Sequence, residues 1–369
     1  MLDEPLAEAT RQLTICNACR YCEAYCAVFP ALEIRREVGA GDAVYLANLC
    51  HDCRACYYAC MYAAPHEFAI NIPEVLAAVR VETYGGYAWP PFMTRVLDRG
   101  AWRTAWLSLA AALLVVAGIV GLRRGHDLFA VVGGPRSFYQ LVPYLALITI
   151  FGGLSLFALI VIAASACRFW REMGGRHSAA LAVRAVRGAT ADALQLRYLR
   201  GGGDGCYYPQ ETPSGTRRAM HSLVFYGFLL DFGATVSAAI LQDIIGVPPP
   251  YPLVSVPVML GAAGGAMMVI GTTALIYIKH RSDPRPATAA MVVKDYGFLT
   301  SLDLVATTGF LLLALRDSPL LGTALAVHLG SLVVFFLTMP YGKFVHFAYR
   351  YMALVQNRLE SGTERTGNH

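Results

Sequence analysis

Two kinds of hydrophobic pattern divide the chain. Residues 1–103 alternate polar and apolar positions over short distances, whereas the remainder alternates long apolar runs with short basic loops. Six of these runs are long enough to cross about 30 Å of hydrocarbon as α-helices. The predicted membrane helices lie near residues 104–122, 141–166, 221–241, 253–278, 296–315 and 321–342. We therefore expect an all-α protein with a soluble domain over 1–103, a six-helix transmembrane bundle over 104–345 and a tail over 346–369.

Composition agrees with a membrane protein. Of the 369 residues, 56% are hydrophobic and 15% are charged, which is too apolar for an ordinary soluble protein. The longest connection between predicted spans, 167–220, contains helical periodicity over 179–199 with arginines on one side. This segment is expected to be an interfacial helix or a dock for the soluble domain. A second short amphipathic helix is predicted over 72–80, with Pro73 in its first turn.

The basic residues favour one orientation. Of the 30 Lys and Arg residues, 26 lie in the segments 1–103, 167–220, 279–295 and 343–369. The other four are Arg123, Arg124, Arg136 and Arg316. By the positive-inside rule, both termini and the N-terminal domain are expected on the cytoplasmic side of a bacterial inner membrane. The net charge of +5 is then explained by contact with membrane lipid and requires no nucleic acid.

One cysteine spacing occurs twice in the N-terminal domain. The pattern C-x2-C-x2-C-x3-C begins at Cys16 and again at Cys50, 34 positions later. Three close thiolates completed by a fourth from the other copy are the ligand pattern of a ferredoxin-like protein with two [4Fe–4S] clusters. The predicted ligands are Cys16, Cys19, Cys22 and Cys60 for the first cluster, and Cys50, Cys53, Cys56 and Cys26 for the second. Structural zinc is the alternative, although zinc sites usually use two separated pairs.

Three histidines lie in or beside predicted membrane helices, where ionisable groups are functional candidates. His221 opens the third helix at its inner edge, and His346 ends the last helix at the same depth. Two histidines at equal depth on different helices can bind one haem iron from both sides. The alternative is that both interact with lipid headgroups. His328 lies 18 residues before His346 on the same predicted helix, which is about 27 Å.

A second haem would need a partner for His328 on the third helix. The position at matching depth is Asp231. The sequence therefore predicts one haem b, with a second only through unusual ligation. His328, Asp231 and Asp303 are alternatively groups for protons or a quinone, or polar contacts between helices, and both interpretations stay open.

Several motifs together resemble the tricarballylate and citrate utilisation protein B family. They are the two cysteine runs and the segments 62–68, 201–206, 221–228 and 340–346. The resemblance covers essentially the whole chain. His328 and His346 are also similar to the last helix of nitrate reductase gamma-type cytochrome b subunits and of the membrane subunit of heterodisulfide reductase. In those relatives the third helix carries two histidines ten positions apart, whereas Asp231 stands at the second position here.

The resemblance implies a function and a partner. The family's protein B works with a cytosolic flavoprotein that oxidises tricarballylate to cis-aconitate with FAD. Protein B is expected to pass the electrons through its clusters and haem to the quinone pool. This sequence has no strand-linked G-x-G-x-x-G, so the FAD is expected on the partner, and no site for an organic substrate is expected here. The alternatives are a membrane redox sensor, a plain anchor with structural zinc, or a quinol-linked subunit with another partner.

Overall fold

The computed structural model of the chain describes most of its length. The described residues are 3–97, 136–174, 179–201, 203–367 and the isolated positions 110, 113–114, 117–118 and 121. Among them, strands are limited to a two-stranded antiparallel ribbon of β1 (Cys206–Tyr207) and β2 (Pro213–Ser214). All other regular structure there is helical, which confirms the all-α prediction.

Residues 3–97 form a layer of short helices. These are α1 (Asp3–Cys19), α2 (Val28–Glu33), α3 (Ala40–Leu49), α4 (Ala55–Tyr58), α5 (Ile72–Gly86) and α6 (Pro91–Leu97). The Asn71 side chain caps α5 by accepting a hydrogen bond from the Glu74 backbone N–H, and Pro73 occupies the first turn. The predicted helix over 72–80 is therefore present and continues to Gly86.

Five helices are long and apolar enough to cross a membrane. They are α8 (Tyr144–Glu172), α10 (Thr216–Ala239, continued to Ile244 by a π-helical turn), α11 (Val256–His280), α12 (Ala289–Ala314) and α13 (Leu321–Thr338). A short helix, α7 (Ser137–Leu141), precedes α8. These five confirm five of the six predicted spans. The predicted span over 104–122 lies outside the described residues, apart from six isolated positions.

Glycines allow α10 and α11 to approach each other closely. A Cβ atom added at Gly264 would lie 2.7 Å from the carbonyl oxygen of Gly227. One added at Gly271 would lie 2.9 Å from the carbonyl oxygen of Met220. Small residues at such positions let membrane helices pack backbone against backbone.

The prediction that His328 and His346 share one helix was wrong. Helix α13 ends at Thr338, and a 3₁₀ turn (Lys343–Val345) leads into a separate helix, α14 (His346–Gly367). Pro340 lies in this interruption, where its missing N–H and its ring prevent a helix from continuing. The separation of about 27 Å for one straight helix therefore does not apply. The expected tail over 346–369 is instead a helix as far as Gly367.

The basic segments gather in one layer with the N-terminal helices. Helix α9 (Ala179–Leu194) packs against α14, where Arg358 donates two hydrogen bonds of 2.6 Å to Asp192. Arg35 donates to Glu360 of α14 at 2.8 Å. The Arg54 guanidinium donates to the carbonyl of Asp283, in the connection between α11 and α12, at 2.9 Å. These contacts place the segments at one end of the bundle, where α9 packs against α14 and α14 packs against α3.

Candidate iron–sulfur and haem sites

The first predicted set of cysteines surrounds one cleft. Cys16 and Cys19 lie in the last turn of α1, Cys22 lies in the turn that follows, and Cys60 comes after α4. All four line a cleft of about 360 Å³. Burial, followed by the proximity of Cys60, raises the pKa of Cys16 and of Cys22 to about 12. The thiols would thus lose their protons only in exchange for a metal centre.

The second predicted set lies deeper in the layer. Cys50 and Cys53 follow α3 and are buried, Cys56 lies in α4, and Cys26 precedes α2. Burial raises the pKa values of Cys26 and Cys56, and the next contributions for Cys26 come from Cys53 and Cys50. For Cys56 they come from Cys53, Cys26 and Cys50. The nearest electrostatic neighbours of both cysteines therefore belong to their own set.

The donor sets fit clusters better than single ions. All ten cysteines are free thiols. Within the described part of the chain, no three His, Cys, Asp or Glu side chains are close enough to hold one metal ion. A cubane cluster separates its four thiolates more widely than one zinc ion does, because four irons stand between them. Eight cysteines in two groups of four fit two such clusters.

His221 and His346 meet at a single cavity. It has a volume of about 590 Å³ and lies between one end of the bundle helices and the Cys50–Cys53 loop. His221 lies in the second turn of α10, and His346 is the first residue of α14. The break in the helix after α13 therefore leaves His346 beside the same cavity as His221. The structure brings these two predicted residues together.

The imidazole nitrogens suit ligation of a metal. The Nδ1 atom of His346 donates a hydrogen bond of 2.6 Å to the carbonyl of Lys343, because a carbonyl can only accept. This leaves Nε2 of His346 with its lone pair. Burial, and then the neighbouring Arg350, holds the pKa of His346 well below its usual range, so the ring is neutral as a ligand must be. The Nδ1 atom of His221 is buried without a hydrogen-bond partner.

Charged groups complete the cavity wall. Asp295 is 4% exposed and accepts hydrogen bonds from the ammonium groups of both Lys279, at 2.5 Å, and Lys343. Arg217, one helical turn before His221, also lines the cavity. Asp52 reaches the wall from the loop between Cys50 and Cys53. Cations at the rim of a haem pocket can pair with the propionates, so this wall fits haem b.

His328 does not line this cavity. Its Nδ1 atom lies 3.0 Å from the hydroxyl of Thr308, and that hydroxyl lies 3.2 Å from the hydroxyl of Ser331. The side chain of Asp303 accepts a hydrogen bond of 2.7 Å from Thr272. Both contacts join neighbouring membrane helices and support the interpretation as polar helix contacts.

Comparisons with known proteins match both parts of the chain. The family model described as "Citrate utilization protein B" matches residues 99–367, and that of its Fer4-like domain matches residues 9–86. The chain belongs to the citrate utilization protein B family. It is 42% identical over 363 residues to a protein of Escherichia coli named "Citrate utilization protein B", covering 98% of this chain and 94% of the relative. No solved structure matches the chain significantly.

Family membership supports iron–sulfur binding by the N-terminal domain. The region matched as Fer4-like contains all eight cysteines of the two runs. Three charged groups that line the cavity with His221 and His346 were not predicted from the sequence: Asp52, Lys279 and Asp295. An acidic residue near the start of a membrane helix was the available signal for Asp295. Nothing in the sequence pairs it with Lys279 on a different helix.

Proposed function

We propose that the chain is an electron-transfer subunit of the bacterial inner membrane. It takes electrons from the reduced FAD of a cytosolic flavoprotein dehydrogenase and delivers them, through two [4Fe–4S] clusters and haem b, to the quinone pool. The observation that carries this proposal is that the loop of the second cysteine set forms part of the wall of the histidine cavity. The loop between Cys50 and Cys53 of the second set supplies Asp52 to the cavity lined by His221 and His346. The second cluster and the haem would be immediate neighbours.

Each side chain at the haem cavity has a defined task. His221 and His346 would hold the haem iron: Nδ1 of His221 has no other partner, and the ring of His346 is fixed by its hydrogen bond to the carbonyl of Lys343. Phe298, Leu275 and Leu299 line the apolar part of the cavity and exclude water from the ring. When bound, the haem supplies a one-electron carrier at the inner edge of the bundle.

The first cysteine set is the proposed entry point for electrons. Cys19 is exposed, and the neighbouring Tyr21 and Met61 are 57% and 62% exposed, so a partner can approach the edge of this cleft. The resemblance supports a tricarballylate dehydrogenase-like flavoprotein as that partner. The name of the Escherichia coli relative points to citrate utilisation. Tricarballylate and citrate are both tricarboxylates, and we assign the oxidation of tricarballylate to the partner.

The orientation rests on charge. The layer formed by the N-terminal helices, α9 and α14 contains most of the basic segments of the chain. Under the positive-inside rule this layer faces the cytoplasm, where the flavoprotein would be found. One haem is proposed, because His328 is hydrogen-bonded to Thr308 and lies away from the cavity.

Metal analysis and an optical spectrum of the purified protein test this proposal. The expected result is about eight cluster irons per chain, two cubes of four, together with the absorption bands of a b-type haem. A colourless protein that contains zinc in place of iron would contradict the proposal and favour a plain membrane anchor with structural zinc. Iron without a b-type band would favour the redox sensor, because a sensor needs no membrane carrier.

A further inference from the structure

Four arginines surround the loop that carries the second cysteine set. We call Arg54, Arg80, Arg217 and Arg350 the arginine cage. Arg54 and Arg80 are 1% and 3% exposed, and Arg217 and Arg350 are half-buried. They come from four elements that are distant in the sequence: the N-terminus of α4, the middle of α5, the first turn of α10 and the second turn of α14.

The cage binds the backbone of this loop. Arg80 donates to the carbonyl of Cys50 at 3.4 Å, and Arg350 donates to the same carbonyl at 2.9 Å. One Arg217 nitrogen donates to the carbonyls of His51 and Asp52, at 3.1 and 2.8 Å. Carbonyl oxygens satisfy N–H groups but carry no net charge. The carbonyls thus accept hydrogen bonds from Arg80, Arg217 and Arg350, but they do not neutralise the positive charge of these side chains.

Protein carboxylates do not balance this charge. Within the described residues, the only ion pair of the cage joins Arg54 to Asp52, with 3.9 Å between nitrogen and oxygen. Two Arg54 nitrogens, Nε and Nη2, and Nε of Arg350 are buried without a hydrogen-bond partner. Unpaired buried charge is strongly unfavourable. The four cations thus require negative charge that the described side chains other than the cysteines do not provide.

A cluster held by Cys26, Cys50, Cys53 and Cys56 would supply it. Four thiolates outweigh the positive charge of the iron–sulfur core, and one-electron reduction adds a further negative charge. Nearby cations stabilise the reduced form more than the oxidised form, which raises the reduction potential. The surroundings of the first set differ: Arg20 is exposed and pairs with Glu33 at 2.7 Å.

We propose that the arginine cage raises the reduction potential of the second cluster above that of the first. One electron then passes downhill, with the first cluster oxidised as the second is reduced, and leaves from the second cluster toward the haem cavity. This inference rests on the proposed function, since it requires both clusters. It goes further by giving the two clusters unequal potentials and by naming the residues that cause the difference.

An EPR-monitored redox titration of the purified full-length chain tests the cage. The titration is done in a Cys19→Ser background, so that the signal comes from the second cluster alone. Arg80→Gln and Arg350→Gln should each shift the one-electron equilibrium toward the oxidised form by on the order of tenfold, which is 59 mV for one electron. Arg350→Lys keeps the charge and should retain most of the wild-type potential.

The control is Arg20→Gln in the wild-type background, which removes a charge that Glu33 already balances. It should leave the potential of the second cluster unchanged. If the second cluster assembles and the Arg80 and Arg350 variants leave its potential unchanged, the inference is overturned while the proposed function stands. If the wild-type chain binds no clusters, the proposed function fails and removes this inference with it.

Discussion

The two copies of one cysteine run occupy very different surroundings. In the first copy, Cys19 is exposed at the end of α1, and the nearby Arg20 is an exposed, paired cation. In the second copy, Cys50 and Cys53 are 8% and 7% exposed and lie against the membrane helices and the arginine cage. Identical spacing gives each copy four cysteines in the same pattern, but the surrounding elements leave Cys19 at the surface and bury Cys50 and Cys53.

The β1–β2 ribbon accounts for the burial of the second run. The backbone N–H of Tyr207 in the ribbon donates to the carbonyl of Cys53 at 2.8 Å. The hydroxyl of Tyr208 donates a hydrogen bond of 2.5 Å to Asp52. The guanidinium groups of Arg54 and Arg217 lie 4.0 and 4.5 Å from the centroid of the Tyr208 ring. The ribbon therefore covers the second run. A cluster there would be protected from solvent, whereas a cluster in the first run would be accessible to a partner.

Removing one ligand from each copy should have the largest effect. Cys53→Ser and Cys19→Ser should each retain about four of eight cluster irons, because each cube needs four thiolates. Cys53→Ser should also prevent haem reduction by the flavoprotein, measured from the b-type absorption band, since the second cluster adjoins the cavity. Cys19→Ser should block the flavoprotein but still allow a small reductant to reach the second cluster. Equal haem reduction by the flavoprotein in both variants and the wild type would refute the order of the clusters.

Loss of a cavity histidine should affect the haem and spare both clusters. His346→Ala removes an imidazole that lines the cavity, so the b-type band should disappear while cluster iron is unchanged. The measurement is an optical spectrum with parallel iron analysis. His280→Ala, at the exposed C-terminus of α11, is the matched control and should retain the band. An unchanged band in His346→Ala would contradict the ligand assignment.

The contrast between buried and exposed charge extends to ion pairs. Asp295→Asn leaves Lys279 and Lys343 without their shared carboxylate, and breaking a buried pair typically costs about 3–5 kcal/mol. Thermal unfolding of the detergent-solubilised protein measures this loss. Glu211→Gln breaks the exposed pair with Arg285, which should cost about 0–1 kcal/mol. Similar losses of unfolding free energy in the two variants would show that burial does not determine how much an ion pair contributes to stability.

The smallest effect is expected at the two remaining cysteines. Cys206 is buried beside the second run, where its thiol donates to the carbonyl of Leu199 at 3.3 Å. A serine hydroxyl can make the same bond, so Cys206→Ser should keep both clusters and change stability by about 1 kcal/mol or less. Cys167→Ser, on an exposed face of α8, serves as the control. Loss of cluster iron in Cys206→Ser would make Cys206 a ligand and break the assignment of four cysteines to each cluster.

Much of this architecture follows from periodicity and spacing. Apolar length predicted five described spans, and the cysteine runs predicted the crosswise sets in which Cys60 joins the first run and Cys26 the second. Both signals are local, or repeat at a fixed distance. The bounds of the helices were less accurate: α12 begins at Ala289, seven residues before the prediction, because hydropathy does not register the polar start of a helix.

The missed features depend on contacts between distant segments. The break after Thr338 places His346 on a new helix, and its apolar flanks made it resemble a continuation of the span. The cage joins Arg54, Arg80 and Arg350 from elements far apart in the chain, so no sequence window contains it. Arg54 lies inside the second cysteine run and Arg217 is followed by another arginine, and only packing brings the members of the cage to the same loop.

We propose that electrons entering at the first cysteine run reach the haem cavity. The most direct measurement mixes the reduced flavoprotein, co-purified from native membranes, with the oxidised chain under anaerobic conditions and follows the b-type absorption band. We expect the band of the reduced haem to develop with the wild-type chain and to be absent with Cys19→Ser. Equal haem reduction in the two proteins, or none with the wild type, would contradict it.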